Sequence, residues 1–213
     1  MLIFLVVIDI KSRVSALLLA AGFSSRMGSN KLLLPLSSMT IFERSLNNLL
    51  DSQVREVIVI LGHEAEKIWP LVRGKPVHVV VNPDYALGMS SSIRSGLRYV
   101  DNYSSKILVA LADQPFITSK YHNQLITASF NTEKDIIVPV YKGSRGNPVI
   151  FSLKYYNELS AIEGDVGGRL LLDRHPEDVL EVEIDSPCIL LNLNTPEEYE
   201  KIIFVEGDCA EEG

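Results

Sequence analysis

With 213 residues, 46% hydrophobic and 22% charged, the chain falls in the ordinary globular range, which excludes a largely disordered protein. A net charge of −7 excludes nucleic-acid binding through a broad basic surface, so a bound polyanion must be held by a few cations, backbone N–H groups or a metal ion. The two cysteines, Cys188 and Cys209, have no CxxC or CxxH spacing to support a zinc site and read as one buried thiol and one tail thiol of a cytoplasmic protein.

The chain opens on an apolar run, Leu2 to Ile8. It is too short for a membrane span, which needs about 20 residues. No basic residue precedes it, and Asp9 and Lys11 follow, so it does not read as a signal peptide. Residues 1–13 are expected to be an extension or an extra strand, 14–205 a single domain, and 206–213 (EGDCAEEG) a frayed acidic tail.

From Val14 onward, strand and helix patterns alternate. Val14 to Ala21 is a continuous apolar run, the pattern of a strand buried on both faces. Ile41 to Leu50 has helical spacing, with Phe42, Leu46, Leu49 and Leu50 apolar. Val54 to Leu61 predicts a strand, His63 to Val72 a short helix, and Val77 to Val81 a third strand. Met89 to Val100 predicts a helix, Ile107 to Ala112 a strand, and Tyr121 to Phe130 another helix. Such units predict a three-layer α/β/α, Rossmann-like fold with a mostly parallel sheet, whose ligands sit beyond the C-terminal ends of the strands. The second half is less regular. Asp135 to Val140 and Pro148 to Phe151 predict strands around a Gly-rich loop, and Val179 to Ile184 and Ile189 to Leu191 two more. Thr195, Pro196 and Glu198 form a capping-box pattern that starts a last helix.

The strongest chemical signal is Leu17 to Leu34, LLLAAGFSSRMGSNKLLL. A buried strand runs into small residues and glycine, which leave backbone N–H groups free to approach phosphate oxygens. Arg26 offers a planar fork and Lys31 a mobile point charge. Neither a Walker A loop nor a GxGxxG fingerprint fits, because Ser29 follows Gly28 and Phe23-Ser24 breaks the second pattern.

Further along come Asn82-Pro83, Gly88-Met89-Ser90-Ser91-Ser92-Ile93, Ala112-Asp113-Gln114-Pro115, Arg145-Gly146-Asn147-Pro148 and Gly164-Asp165-Val166-Gly167-Gly168-Arg169. Together with the first loop, this ordered set resembles the molybdenum-cofactor nucleotidyltransferases, within the broader GT-A-like nucleotidyltransferase superfamily, over most of the chain. The Ala21-Gly22 and Asn30-Lys31-Leu32-Leu33 details resemble the cytidylyl-transferring branch rather than the guanylyl-transferring one. The resemblance implies a CTP-using, Mg²⁺-dependent enzyme that acts on molybdopterin, with a molybdenum hydroxylase as a client and no nucleic-acid or membrane partner.

Roles follow for individual residues. Asp113 ends a predicted parallel strand and points a hard oxygen ligand into the crevice, where the family places a metal-binding Asp. Relatives carry a DIDTPEDY-like stretch near the C-terminus, whereas this chain has Asn192-Leu193-Asn194-Thr195-Pro196-Glu197-Glu198-Tyr199, which leaves Asn194 as an uncharged second metal ligand. Arg26, Lys31 and Asp113 are the expected catalytic residues. The expected nucleotide contacts are Leu19, Ala20, Ala21, Gly22, Ser25, Arg26, Lys31, Asn82, Ser91, Ser92 and Asp113. Hydroxyls at a helix start suit base, ribose or phosphate recognition, and Ser92-Ile93 matches the family's pyrimidine-reading pair. Arg145, Gly146, Asn147, Gly168 and Arg169 are expected to line the acceptor side. His63 reads as a loop residue, and His78, His122 and His175 show no ligand spacing. The alternatives are a nucleotidyltransferase using GTP or a sugar-phosphate acceptor, and a non-catalytic partner that binds or inserts the molybdenum cofactor.

Overall fold

The computed structural model describes residues 13–24, 27 and 29–200. Ser25, Arg26, Gly28, residues 1–12 of the expected 1–13 extension, and residues 201–213 with the expected 206–213 tail lie outside the described residues.

The first strand, β1 (Val14–Ala20), is buried along its whole length. Its residues alternate between two cores. Ala16, Leu18 and Ala20 pack on one side with Phe42, Leu46, Ile68 and Leu125, while Leu17 and Leu19 pack on the other with Ile93, Leu97, Leu159 and Leu171. A strand covered on both faces is apolar at nearly every position, which is why its sequence is a run and not an alternation; the exception, Ser15, has its buried hydroxyl paired with Glu56 and Ser104. Each fully buried Leu or Ile contributes about 1.5–3 kcal/mol relative to exposure, so the two cores secure β1 from both directions.

A short hairpin, β2 (Pro35–Leu36) and β3 (Met39–Thr40), leads into α1 (Ile41–Leu50). Thr40 and Glu43 close a capping box at its start. Then come β4 (Glu56–Leu61), α2 (Ala65–Val72), β5 (His78–Val81), α3 (Met89–Leu97), β6 (Lys106–Leu111) and α4 (Ser119–Phe130). The second half adds β7 (Ile136–Tyr141), β8 (Ser144–Arg145), β9 (Val149–Ser152), α5 (Tyr156–Ala161), α6 (Arg169–Arg174) and β10 (Val179–Glu183).

The main sheet runs β10-β7-β9-β6-β1-β4-β5, with β8 paired to β7. β1 pairs in parallel with β4 and with β6, and β4 with β5. β9 is antiparallel to both β6 and β7, and β10 is parallel to β7. The fold is therefore mixed α/β with a mostly parallel central sheet and helices on both faces. From β1 the chain crosses to β4 on one side and later returns to β6 on the other. The C-terminal ends of β1 and β6 thus flank the point where the strand order reverses, where open α/β sheets form a ligand crevice.

Two expectations need correction. Ile189 to Leu191 is not a strand: Pro187–Leu190 forms a 3-10 turn, with Pro187 at its start and the Ser186 hydroxyl accepting from the Cys188 N–H. The helix expected from His63 starts only at Ala65, because Glu64 takes a left-handed φ of 53°. The capping box at Thr195 forms as expected. The Thr195 hydroxyl accepts from the Glu198 N–H, and the Glu198 carboxylate accepts from the Thr195 N–H. Cys188 is a buried free thiol. Among the described residues, no helix is long and apolar enough to cross a membrane.

Candidate active site

The loop after β1 is held by its own polar side chains. Ser24 adopts φ +50°, its carbonyl accepts from the Met27 N–H at 2.9 Å, and its hydroxyl accepts from the Lys31 N–H at 3.2 Å. Asn30 caps the 3-10 turn Lys31–Leu33 by accepting from the Leu32 N–H at 3.1 Å. Leu32 is buried in the core, which fixes the turn and leaves the Lys31 side chain to reach back across the strand ends.

There Lys31 Nζ meets two oxygens. It donates to Asp113 Oδ2 at 2.5 Å and to Asn194 Oδ1 at 2.9 Å. The two side chains of the ion pair are 14% and 15% exposed. At that burial the pair is shielded from bulk water but still open to a ligand. Residues from the β1 loop, the end of β6 and the segment before the last helix therefore converge on one point. Asp113 and Asn194 present hard oxygens to a cation already, which is the donor type that magnesium and manganese prefer.

Two adjoining cavities open around this point. The larger, of about 510 Å³, is lined by Leu19 to Ser24, Lys31, Tyr85 to Met89, Ser92, Asp113 and Asn194, among others. The smaller, of about 270 Å³, is lined by Asn147, Val149, Phe151, Val166 to Arg169 and Asn192. Met89, Leu111, Asp113, Asp165 and Asn194 border both. Such an arrangement suits two substrates that meet beside Asp113.

The serines at the start of α3 are buried, and the hydroxyls of Ser91 and Ser92 are tied down while that of Ser90 has no partner among the described residues. Asn82 Nδ2 donates to Ser91 Oγ at 2.8 Å and to Ser92 Oγ at 3.1 Å. Ser91 Oγ in turn donates to the Gly88 carbonyl. Ser92 lines the larger cavity, whereas Ser91 and Asn82 support it from behind. Gly88, at φ +98°, needs its glycine for a second reason: a Cβ there would sit 2.7 Å from the backbone of Gly164. The two loops are clasped by the Ser90 N–H donating to the Gly164 carbonyl and the Met89 N–H donating to Asp165 Oδ1, both at 3.2 Å.

The expected acceptor residues divide. Asn147, Gly168 and Arg169 line the smaller cavity, with Arg169 exposed at the start of α6. Gly168 has no room for a side chain, since a Cβ would fall 2.6 Å from the Phe151 ring. Gly146 is a packing residue against the Ile189 carbonyl. Arg145 lines neither cavity; its Nε pairs with Glu181 at 2.7 Å on the surface. His175 lies near Glu177 and Asp178, yet it pairs with Glu158 at 2.9 Å, and Asp178 is engaged by Lys154 and Tyr155. Asp165, within the Gly164 to Arg169 stretch expected on the acceptor side, borders both cavities, while sequence reasoning missed the rings of Phe23 and Tyr85 in the larger one. Asp165 stood within a quoted motif, and Phe23 stood out as an aromatic side chain inside a small-residue loop.

Comparisons with known proteins agree with this geometry. The model of the MobA-like NTP transferase domain matches residues 16–179. The chain is 30% identical to the purine catabolism protein PucB of Bacillus subtilis over 86% of this chain and 93% of that one. It is 26% identical to the molybdenum cofactor cytidylyltransferase of Escherichia coli, over 88% and 94%. Among solved structures, the homolog of Mycobacterium tuberculosis Rv0371c from Mycobacterium sp. strain JC1 superposes with a TM-score of 0.84 at 30% identity, covering 94% of this chain and 98% of that one. Rv0371c itself, solved in complex with manganese, gives 0.79 at 26% identity, over 90% and 98%. The domain match spans the β1 loop, α3 and Asp113, the elements that build the two cavities, so the chain belongs to the MobA-like NTP transferase family and is a nucleotidyltransferase.

Proposed function

We propose that the protein transfers the cytidylyl group of CTP to the terminal phosphate of molybdopterin and releases pyrophosphate. The observation that carries this reading is the convergence of Lys31, Asp113 and Asn194 at the seam between two cavities. The larger cavity takes the triphosphate, with Ala21, Gly22 and Ser92 facing the nucleoside and Lys31 facing the phosphates. The smaller takes the acceptor, with Arg169 as the partner of its phosphate and Phe151, Val149 and Val166 as apolar walls. The choice of cytosine rests on the Ala21-Gly22 and Asn30-Lys31-Leu32-Leu33 details of the sequence.

In the reaction, an oxygen of the acceptor phosphate attacks the α-phosphorus in line. One P–O bond forms, the bond to the β-phosphate oxygen breaks, and pyrophosphate leaves with the electron pair. The acceptor phosphate is already ionised, so no general base and no covalent enzyme intermediate are needed. Catalysis then consists of positioning and charge neutralisation. Lys31 exchanges its contacts with Asp113 and Asn194 for phosphate oxygens, and Arg26 supplies a second positive charge. Asp113 and Asn194 would hold a divalent metal ion, which neutralises charge on the triphosphate when bound. The manganese of the Rv0371c complex makes manganese a candidate beside magnesium.

Pyrophosphate release tests the reading. The protein is incubated with Mg²⁺ or Mn²⁺, each of the four NTPs, and molybdenum cofactor or sugar phosphates. Release with CTP and molybdenum cofactor is expected. Release only with another acceptor, or tight cofactor binding with no release, overturns it.

A further inference from the structure

Phe23 sits inside a phosphate loop whose other residues are small or polar, and it remains 48% exposed. An aromatic ring half in water at the wall of a large cavity is a surface that a ligand covers. It does not stand alone. Its ring centroid lies 5.1 Å from that of His63 and 5.0 Å from that of Tyr85, both tilted, and His63 and Tyr85 are 6.0 Å apart. Gly62 makes the cluster possible: a Cβ there would lie 2.7 Å from both Ala21 Cβ and Tyr85 Cβ. Its absence lets the stem of Tyr85 close against the end of β1. Ser24, which follows, takes a left-handed φ of 50°, and the Phe23 ring stays half exposed. Leu87, 61% exposed, continues the apolar wall from the same segment as Tyr85.

We propose that Phe23, braced by Tyr85 and His63, is the stacking face for the nucleobase of the triphosphate. The inference rests on the transferase reading and adds a residue to it. Every base has a π-face, so such a platform sets affinity while hydrogen bonds elsewhere choose the base. The occupant is the nucleobase and not a planar ring of the acceptor, because Phe23 and Tyr85 line the cavity of Gly22 and Ser92. Neither borders the cavity of Asn147 and Arg169. Gly22, in the same cavity wall, would meet no described residue beyond its chain neighbours within 4 Å even with a Cβ, so that part of the wall is open.

Titration calorimetry on the full chain with Mg²⁺ tests this, using CTP, GTP and inorganic tripolyphosphate as probes. Phe23→Ala should weaken both nucleotides by roughly 5- to 150-fold, the range of one base–aromatic stack, and leave tripolyphosphate unchanged. Phe23→Tyr should restore binding. Phe23→Leu, which keeps apolar area without a ring, should not. Wild-type CTP affinity in Phe23→Ala overturns the inference and leaves the transferase reading intact. An equal loss of tripolyphosphate also overturns it, because the ring then acts through the shape of the loop. So does a raised KM for molybdenum cofactor with nucleotide affinity intact, which would assign the face to the acceptor. A wild-type protein that binds no nucleotide at all sinks both readings.

Discussion

Lys31 is the residue on which the proposed chemistry turns. Its ammonium is held by Asp113 and Asn194; in the proposed transfer it stabilises charge that grows on the departing pyrophosphate. An interaction that strengthens in the transition state raises turnover, not merely binding. Lys31→Ala should therefore lower kcat by about 100-fold or more, the scale of losing one preorganised donor, with a smaller change in the KM for CTP. Steady-state pyrophosphate release measures both constants, and unchanged turnover would remove Lys31 from the mechanism. Asn194 gives a prediction of opposite sign. Asn194→Asp adds a negative charge beside Asp113, and one such charge at close range is worth roughly a kcal/mol or more at a partly exposed site. The metal Kd should fall by about tenfold, read by Mn²⁺ titration. A third prediction concerns stability. Burial holds the His122 imidazole neutral, with its pKa lowered to about 4. The unfolded chain takes up that proton near pH 6.5, so stability is full above that pH and falls as pH drops toward 4. The loss at pH 5 is about 2 kcal/mol. His122→Gln should flatten the melting temperature between pH 7 and 5; an identical slope in the variant would assign the acid sensitivity to other groups.

Among the elements, the clasp between α3 and the loop at Gly164 links the two cavities. Gly88 both takes a positive φ and touches the Gly164 backbone, and Met89 and Ser90 donate across the same seam. Gly88→Ala should cost about 1–3 kcal/mol, from strain at φ +98° and from overpacking. Because both loops must shift, the KM values for nucleotide and acceptor should rise together; a change in only one would show that the loops move independently. Nothing periodic in the sequence announces this clasp, since Met89 and Asp165 are 76 residues apart. What was legible were elements with local causes. Six of the seven buried residues of β1 are apolar, and Thr195 could cap only a helix that begins beside it. Lys31 and Asp113 were legible as candidates, a cation in a small-residue loop and a carboxylate at a strand tip, and the fold brings the two side chains together. Arg145 shows the limit: its partner Glu181 lies on β10, which joins β7 by a pairing that no local pattern encodes. Ile189 to Leu191 looked like a strand from its apolar side chains, but Pro187 and the Ser186 cap set the backbone into a turn.

At the scale of the whole molecule, the larger cavity gathers the β1 loop, the segment after β5, the start of α3, the tip of β6 and Asn194 near the far end of the described chain. A triphosphate bound there bridges parts of the chain that are distant in sequence and that the unfolded state cannot hold together. The overall charge of −7 gives no general attraction for it, so in the proposed reading binding depends on this local assembly and on a metal ion. Ligand bound only by the folded state stabilises it by about 2.7 kcal/mol at a hundred times its Kd. For a chain of this length that corresponds to a rise in melting temperature of roughly 5–10 °C. CTP with Mg²⁺ or Mn²⁺ should give this rise and GTP, at equal concentration, a smaller one. Omitting the metal should reduce the CTP shift, because the triphosphate then meets the carboxylate of Asp113 unscreened. Lys31→Ala should reduce it less than Phe23→Ala does, if Lys31 acts in the transition state and Phe23 in the ground state. A larger shift with GTP than with CTP would reassign the base. Equal shifts with and without metal would detach Asp113 and Asn194 from the triphosphate and leave Lys31 as its main partner.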